Sequence, residues 1–261
     1  MKSGLDPAQQ FRIDGQTAIV TGASSGLGAR FARVLAAAGA TVIVAARRRA
    51  RLEALVDELR SEGAEAVAVK CDVTADSDAQ ALIAAAIEAT GRLDVLVNAA
   101  GIAPGEDEAI ESPALFRRVL EVNTVGLYSC TRAAAKVMLD RGAGSIVNVA
   151  SISGLVAGDG LDTPSYAASK GAVVNLTREL AVRWAGRGVR VNAIAPGWFP
   201  SEMTAETLSS EAGRRFVDDR TPLGRPGRTD ELDGALLFLA SGASSYVTGH
   251  TLTVDGGWTA R

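Results

Sequence analysis

Short apolar runs rich in β-branched residues recur along this chain, and each is followed by a stretch whose apolar positions repeat at helical spacing. Residues 17–21 (TAIVT) read as a first strand. Residues 26–38 read as a helix, with Leu27, Phe31, Val34 and Leu35 on one face and Gly39 as a stop signal. The rhythm predicts further strands at 41–46, 66–71, 93–98, 144–150, 189–195 and 250–254. It predicts helices at 50–61, at 78–89, within 112–140, at 165–187 and at 229–241. Strands that are apolar on both faces suit a parallel sheet covered by helices on each side. The expected fold is α/β, a doubly wound sheet of about seven parallel strands, as one domain over residues 1–261. The segment 198–228 breaks the rhythm with Pro200, Pro222, Pro226 and several glycines, and reads as a surface loop or a lid.

Composition narrows the function. A hydrophobic share of 47% supplies a sizeable core, and a net charge of −3 argues against nucleic acid, which requires a basic face. Residues 1–16 lack an apolar signal core, and no apolar run is long enough to span a bilayer, so a cytoplasmic protein without a membrane partner is expected. Cys71 and Cys130 lie far apart without metal-ligand spacing, which suits buried thiols in a reducing compartment. His250 is the one histidine, so a zinc site built from several histidines is excluded and no metal is expected. It also leaves little room for a serine hydrolase, and no nucleophile-elbow sequence surrounds Ser151.

Between the first strand and the first helix stands Thr21-Gly22-Ala23-Ser24-Ser25-Gly26-Leu27-Gly28. Glycines there let the backbone approach a pyrophosphate, whose charge a helix N-terminus stabilises, as in a Rossmann dinucleotide site. The alternative is a plain turn with close helix–sheet packing. The candidate contacts are Gly22, Ser24, Ser25, Gly26, Leu27 and Gly28. Cofactor choice is written at the end of the second strand, where an acid would accept the adenosine ribose hydroxyls. Here Ala45-Ala46 is followed by Arg47 and Arg48. A guanidinium offers a phosphate a planar fork of donors. NADP(H) is therefore favoured, with Arg47 as the main 2′-phosphate contact and Arg48 as its helper. NAD(H) remains possible, and a second reading is that arginines 47–49 solvate a helix start.

Tyr166 and Lys170 stand four residues apart in the helix expected at 165–187, so they share a face. An ammonium beside a phenol favours the phenolate, which makes an acid/base useful near neutral pH. By itself the pair also fits a solvated helix face.

Several motifs occur in order: TGASSGLG, Asn98-Ala99-Ala100-Gly101, Asn123, Ser151, YAASK and Pro196-Gly197. Together they resemble the short-chain dehydrogenase/reductase family over about residues 13–258. The resemblance implies that Tyr166 is the general acid/base and that Lys170 holds the nicotinamide ribose. It implies that Ser151 hydrogen-bonds the substrate oxygen and that Asn123 holds a relay water. Asn98, Ala99 and Gly101 would support the cofactor, with Ala99 where the family usually has a second asparagine. Asp72 and its neighbour Val73 match the stretch that meets the adenine ring. Pro196, Gly197 and Ser201 match the one that fixes the carboxamide, with serine where threonine is commoner.

Ser153 rivals Ser151 for the substrate oxygen, since it lies thirteen residues before Tyr166 and Ser151 fifteen. Ser151 is preferred because it ends the strand and precedes Ile-Ser-Gly. The extra residues then fall in the loop 157–164. In 198–228, Trp198, Phe199, Met203, Leu208 and Phe216 suit either a lid over the nicotinamide or core anchors. Arg214, Arg215 and Arg220 suit a solvated helix face better than an anionic substrate. The family resemblance implies a small carbonyl or alcohol substrate and a homotetramer. Sugars, hydroxy acids, steroids and acyl thioesters all remain open. A nucleotide-sensing binding protein on the same fold is the alternative, but it would not need Ser151, Tyr166 and Lys170 together.

Overall fold

The computed structural model describes residues 7–104, 110–157 and 164–261. Seven strands form one sheet: β1 (Thr17–Thr21), β2 (Thr41–Ala46), β3 (Ala66–Lys70), β4 (Val95–Asn98), β5 (Gly144–Val149), β6 (Val189–Pro196) and β7 (Thr251–Val254). Their order is β3-β2-β1-β4-β5-β6-β7, and every neighbouring pair is parallel. The helices are α1 (Gly26–Ala37), α2 (Arg49–Ser61), α3 (Asp76–Thr90), α4 (Pro113–Leu120), α5 (Leu127–Arg141), α6 (Pro164–Trp184), α7 (Ala205–Ser209), α8 (Glu211–Arg220) and α9 (Asp233–Ala240).

The strands are apolar on both faces because both faces are covered. On one side Ala18, Val20, Val42 and Val44 pack with Phe31 and Leu35 of α1, Leu52 and Leu55 of α2, and Leu236 and Leu239 of α9. On the other Ile19, Ile43 and Leu96 pack with Leu82 and Ile83 of α3, Met138 of α5 and Leu180 of α6. Burying one such leucine or isoleucine stabilises the fold by about 1.5–3 kcal/mol. The two clusters therefore hold the sheet rigid beneath its carboxyl edge. At the opposite edge the Asp94 carboxylate accepts from the Thr17 backbone N–H at 2.9 Å and from Arg92 Nε at 2.8 Å, joining the starts of β1 and β4.

The order in which strands are added reverses between β1 and β4, and a parallel sheet opens a crevice at that point. Two contacts draw the tips of these strands together. Thr21 Oγ1 accepts from the Ala99 and Ala100 backbone N–H groups at 3.2 and 3.3 Å. Gly22 has φ +70°, and a Cβ there would stand 2.7 Å from Ala100 Cα and from Ala99 O.

Three elements differ from the periodicity. The helical region expected within 112–140 runs from Pro113 to Arg141 and contains a π-helical stretch, Glu121–Gly126, between α4 and α5. Gly126 lies against β3's exit, where a Cβ would be 2.7 Å from Val73 Cγ2, so a tertiary contact accompanies the π-helical stretch. The helix expected at 229–241 begins as a 3₁₀ turn, Thr229–Leu232, ahead of α9. The segment 198–228 is not irregular throughout but carries α7 and α8. The loop proposed to absorb the longer Ser151–Tyr166 spacing lies outside the described residues at 158–163. Among the described residues no helix is long and apolar enough to cross a membrane.

Gly22→Ala is expected to cost about 3 kcal/mol, because it combines left-handed strain with a backbone clash. Thermal unfolding should show Tm lower by about 6–12 °C. An unchanged Tm would mean that the two strand tips separate freely.

Candidate active site

A cleft of about 540 Å³ opens along the carboxyl ends of the central strands. At one end the glycine turn supplies Gly22 and Ser24 to Gly28. Ser25 occupies the N-cap of α1 in an extended conformation, φ −171°, yet its side chain makes no capping bond. A helix start without a side-chain cap, beside glycines that admit close backbone approach, fits a diphosphate.

Ala46, Arg47 and Arg48 line the cleft beyond the tip of β2. Arg48 donates from Nε to Ser24 Oγ at 3.1 Å and from Nη2 to Ser25 Oγ at 2.6 Å, so it is bound to the turn itself. Arg48 Nη1 also reaches Glu202 at 3.0 Å, and Arg51 pairs with the same carboxylate. Hydrogen bonds from Arg51, Arg48 and Ser25 hold the Glu202 carboxyl at about 2, well below its ordinary range. Cys71, Asp72 and Val73 line the cleft after β3. Bonds from the Thr74 backbone N–H and hydroxyl to Asp72 Oδ1 hold that carboxylate rigid and lower its pKa.

Ala99, Ala100 and Gly101 continue the wall after β4. Asn98 sits beneath it rather than on it. It is buried, and its Nδ2 donates to Thr131 Oγ1 at 2.8 Å and to Asn148 Oδ1 at 2.9 Å. Asn123 in the π-turn is fully buried and likewise stands behind the wall. Its Oδ1 accepts from the Ile102 N–H at 2.8 Å, and its Nδ2 donates to Ile102 O at 2.9 Å and Ser169 Oγ at 3.0 Å. Its side chain thus joins the loop after Gly101 to the helix that carries Tyr166 and Lys170.

The other end of the cleft gathers Ser151, Tyr166 and Lys170. Ser151 follows β5 in extended conformation and leads into a 3₁₀ turn, Ile152–Gly154. A Cβ at Gly154 would lie 2.5 Å from the Lys170 carbonyl carbon, so only glycine lets this turn press onto α6 beside the tyrosine–lysine pair. Ser153 is buried and does not line the cleft; its hydroxyl accepts from Ser151 Oγ at 3.1 Å. Lys170 Nζ lies 5.5 Å from the Tyr166 ring centroid and donates to Val149 O at 2.8 Å. Burial pushes the Lys170 ammonium down to about 8.

The segment after β6 closes the remaining side with Pro196, Gly197, Phe199, Ser201, Glu202, Met203 and Thr204. The apolar side chains expected there divide between two tasks. Phe199 and Met203 line the cleft, whereas Trp198 and Phe216 cluster with Trp258 at centroid distances of 5.8–6.4 Å. Arg214 and Arg215 make surface pairs one helical turn away, with Asp218 and Glu211, and Arg220 stacks on Phe216. Glu202 and Arg51 carry no motif, and sequence reasoning passed over both. Among the described residues no cluster of histidine, cysteine and carboxylate side chains has the makings of a metal site.

The sheet order, the glycine turn and the cleft at the switch point define a Rossmann-type fold with a cleft suited to a dinucleotide. A family model described as enoyl-(acyl carrier protein) reductase matches residues 22–259. Galactitol 2-dehydrogenase (L-tagatose-forming) of Cereibacter sphaeroides is 46% identical over 98% of this chain and 99% of its own length. The chain belongs to the short-chain dehydrogenase/reductase family. The crystal structure of a gluconate 5-dehydrogenase from Burkholderia cenocepacia J2315 with NADP and tartrate superposes with TM-score 0.93 at 36% identity, covering 98% of this chain and 100% of that one. A 7α-hydroxysteroid dehydrogenase complexed with NADH and 7-oxo glycochenodeoxycholic acid gives TM-score 0.91 at 33% identity, covering 97% and 98%.

The position of Lys170 makes stability depend on pH. Below about pH 8 the lysine is charged in folded and unfolded chains alike, and the full penalty of burying an ammonium is present. From about pH 8 to about 10.4 the folded state has released the proton and the unfolded state keeps it, so this residue's contribution to stability rises with pH. Lys170→Met should therefore compare most favourably with the parent in Tm at pH 7 and least favourably at pH 10. An equal Tm difference at both pH values would exclude burial as the cause.

Proposed function

We propose that this protein transfers a hydride reversibly between NADP(H) and a small ketone or secondary alcohol, with a polyol or sugar acid as its substrate class. The observation that carries the reading is one cleft with Ser151, Tyr166 and Lys170 at one end and the glycine turn with Arg47 and Arg48 at the other. The relatives' names support the substrate class, since one acts on galactitol and another on gluconate.

In this reading a bound nicotinamide supplies or accepts the hydride, and the chain manages the proton. During oxidation the Tyr166 phenolate accepts the hydroxyl proton as the carbon gives up its hydride. During reduction the Tyr166 phenol returns that proton to the new alkoxide. Ser151 Oγ donates to the substrate oxygen where negative charge develops. Lys170 holds the ribose hydroxyls and stabilises the phenolate, and Asn123 keeps the Ile102 loop and α6 in register for a water relay. Asp72 and Val73 bound the adenine, and Pro196, Gly197 and Ser201 fix the carboxamide. Arg47 and Arg48 receive the 2′-phosphate. NAD(H) would bind without it.

Two buried free thiols suit a cytoplasmic setting. The exposed Val125, Tyr128, Val182 and Tyr246 side chains suit self-association, and the family resemblance implies a homotetramer.

The test is steady-state turnover of a polyol, sugar-acid and ketone panel with each nucleotide. Tyr166→Phe should lower kcat by about 10²–10⁴-fold while the NADPH Kd stays within about twofold. Ser151→Ala should fall steeply and Ser153→Ala by less than about tenfold; the reverse order reassigns the substrate-oxygen role. No turnover of any alcohol or carbonyl by the parent would move the protein to a nucleotide-sensing role. Arg47→Asp should raise the NADPH Kd at least about tenfold and leave that of NADH nearly unchanged. Retained NADPH affinity would refute the phosphate assignment.

A further inference from the structure

Strand β2 ends without the acid that would greet an adenosine ribose, yet a carboxylate stands at that end of the cleft. It belongs to Glu202, which arrives from the loop after β6 on the opposite side. Arg48 Nη1 donates to Glu202 at 3.0 Å, and Arg51 pairs with the same group. Arg48 is at the same time bound to Ser24 and Ser25 of the glycine turn. These side chains therefore close a ring of contacts across the mouth of the cleft. Glu202 is 54% exposed, so the ring opens and closes without the loss of a buried charge pair.

A nucleotide carrying a 2′-phosphate needs Arg48 beside Arg47, and Glu202 already engages Arg48, so two anions compete for that one donor. A nucleotide with a free 2′-hydroxyl brings a donor instead, and a carboxylate accepts it. We propose that Glu202 is the cofactor-discriminating residue of this enzyme: it replaces, from across the cleft, the acid that β2 lacks, weakening NADP(H) and keeping NAD(H) acceptable. This inference rests on the nicotinamide reading above. It adds that the arginines alone do not set the preference.

The experiment is fluorescence titration of the full chain with NADPH and with NADH, for the parent, Glu202→Gln, Arg48→Ala and the double variant. Glu202→Gln should lower the NADPH Kd about fivefold, the scale of an exposed charge contact, and raise the NADH Kd by about two- to fivefold, because the charged acceptor for the 2′-hydroxyl is lost. On the Arg48→Ala background the same substitution should change the NADPH Kd by less than about twofold, since the contested donor is gone. A role confined to anchoring the loop would move both nucleotides equally, and that result overturns the proposal. So does a rise in the NADPH Kd of Glu202→Gln. A parent chain that binds neither nucleotide would instead overturn the nicotinamide reading, and this inference with it.

Discussion

Two backbones meet at the tips of β1 and β4 as closely as backbones can, and the cleft exists because they do. Gly22 leaves no Cβ between itself and Ala99–Ala100, and Thr21 Oγ1 ties both of those N–H groups to β1. The contact sits where the chain stops adding strands on one side of the sheet and begins adding them on the other. Loops leaving β1 and β4 therefore diverge above it, and the space between them admits an elongated ligand. With a side chain at Gly22 the seam would spread, and the glycine turn and the β4 exit would no longer face one cleft.

The same economy of space governs the end of the cleft with Ser151 and Lys170. Gly154 lets the turn after β5 lie on the backbone of Lys170, which brings Ser151 to α6. Lys170 is then enclosed, only 5% exposed, with Val149 O as a partner for its ammonium. Burying a lysine works against stability, and the fold tolerates it because the surrounding strands and helices are heavily packed. Asn123 extends the arrangement backward: a π-helical segment presents its amide to Ile102 and to Ser169, so hydrogen bonds tie the β4 exit and the α4–α5 junction to α6. Precise placement of an acid/base pair depends on such support more than on the pair itself.

Much of this is written locally. The glycine turn is legible because left-handed backbone and close backbone approach favour glycine, and Tyr166 with Lys170 is legible because four residues make about one helical turn. The central strands β1, β2 and β4 announce themselves because burial on both faces leaves a mostly apolar run. Asn98 shows where such reading stops. It stands in the right motif, but its amide is turned under the wall toward Thr131 and Asn148, partners from α5 and β5. Trp198 and Met203 show the same limit. Both are large and apolar in one loop, and only their neighbours send one to the aromatic cluster with Trp258 and the other to the cleft.

The amino-acid order by itself determined the alternating sheet and helices, the turn suited to a diphosphate, and the candidate acid/base, since each is encoded within a dozen neighbouring residues. Tertiary structure alone decided that Glu202 faces Arg48 and Arg51 and that Gly126 abuts Val73 at a π-helical stretch, and it placed Ser151, already preferred from the sequence, rather than Ser153 at the cleft. The first two join residues at least fifty positions apart, and the third depends on which way a short turn packs against α6. No local periodicity records such contacts, because their free energy arises only once the sheet has brought distant segments together.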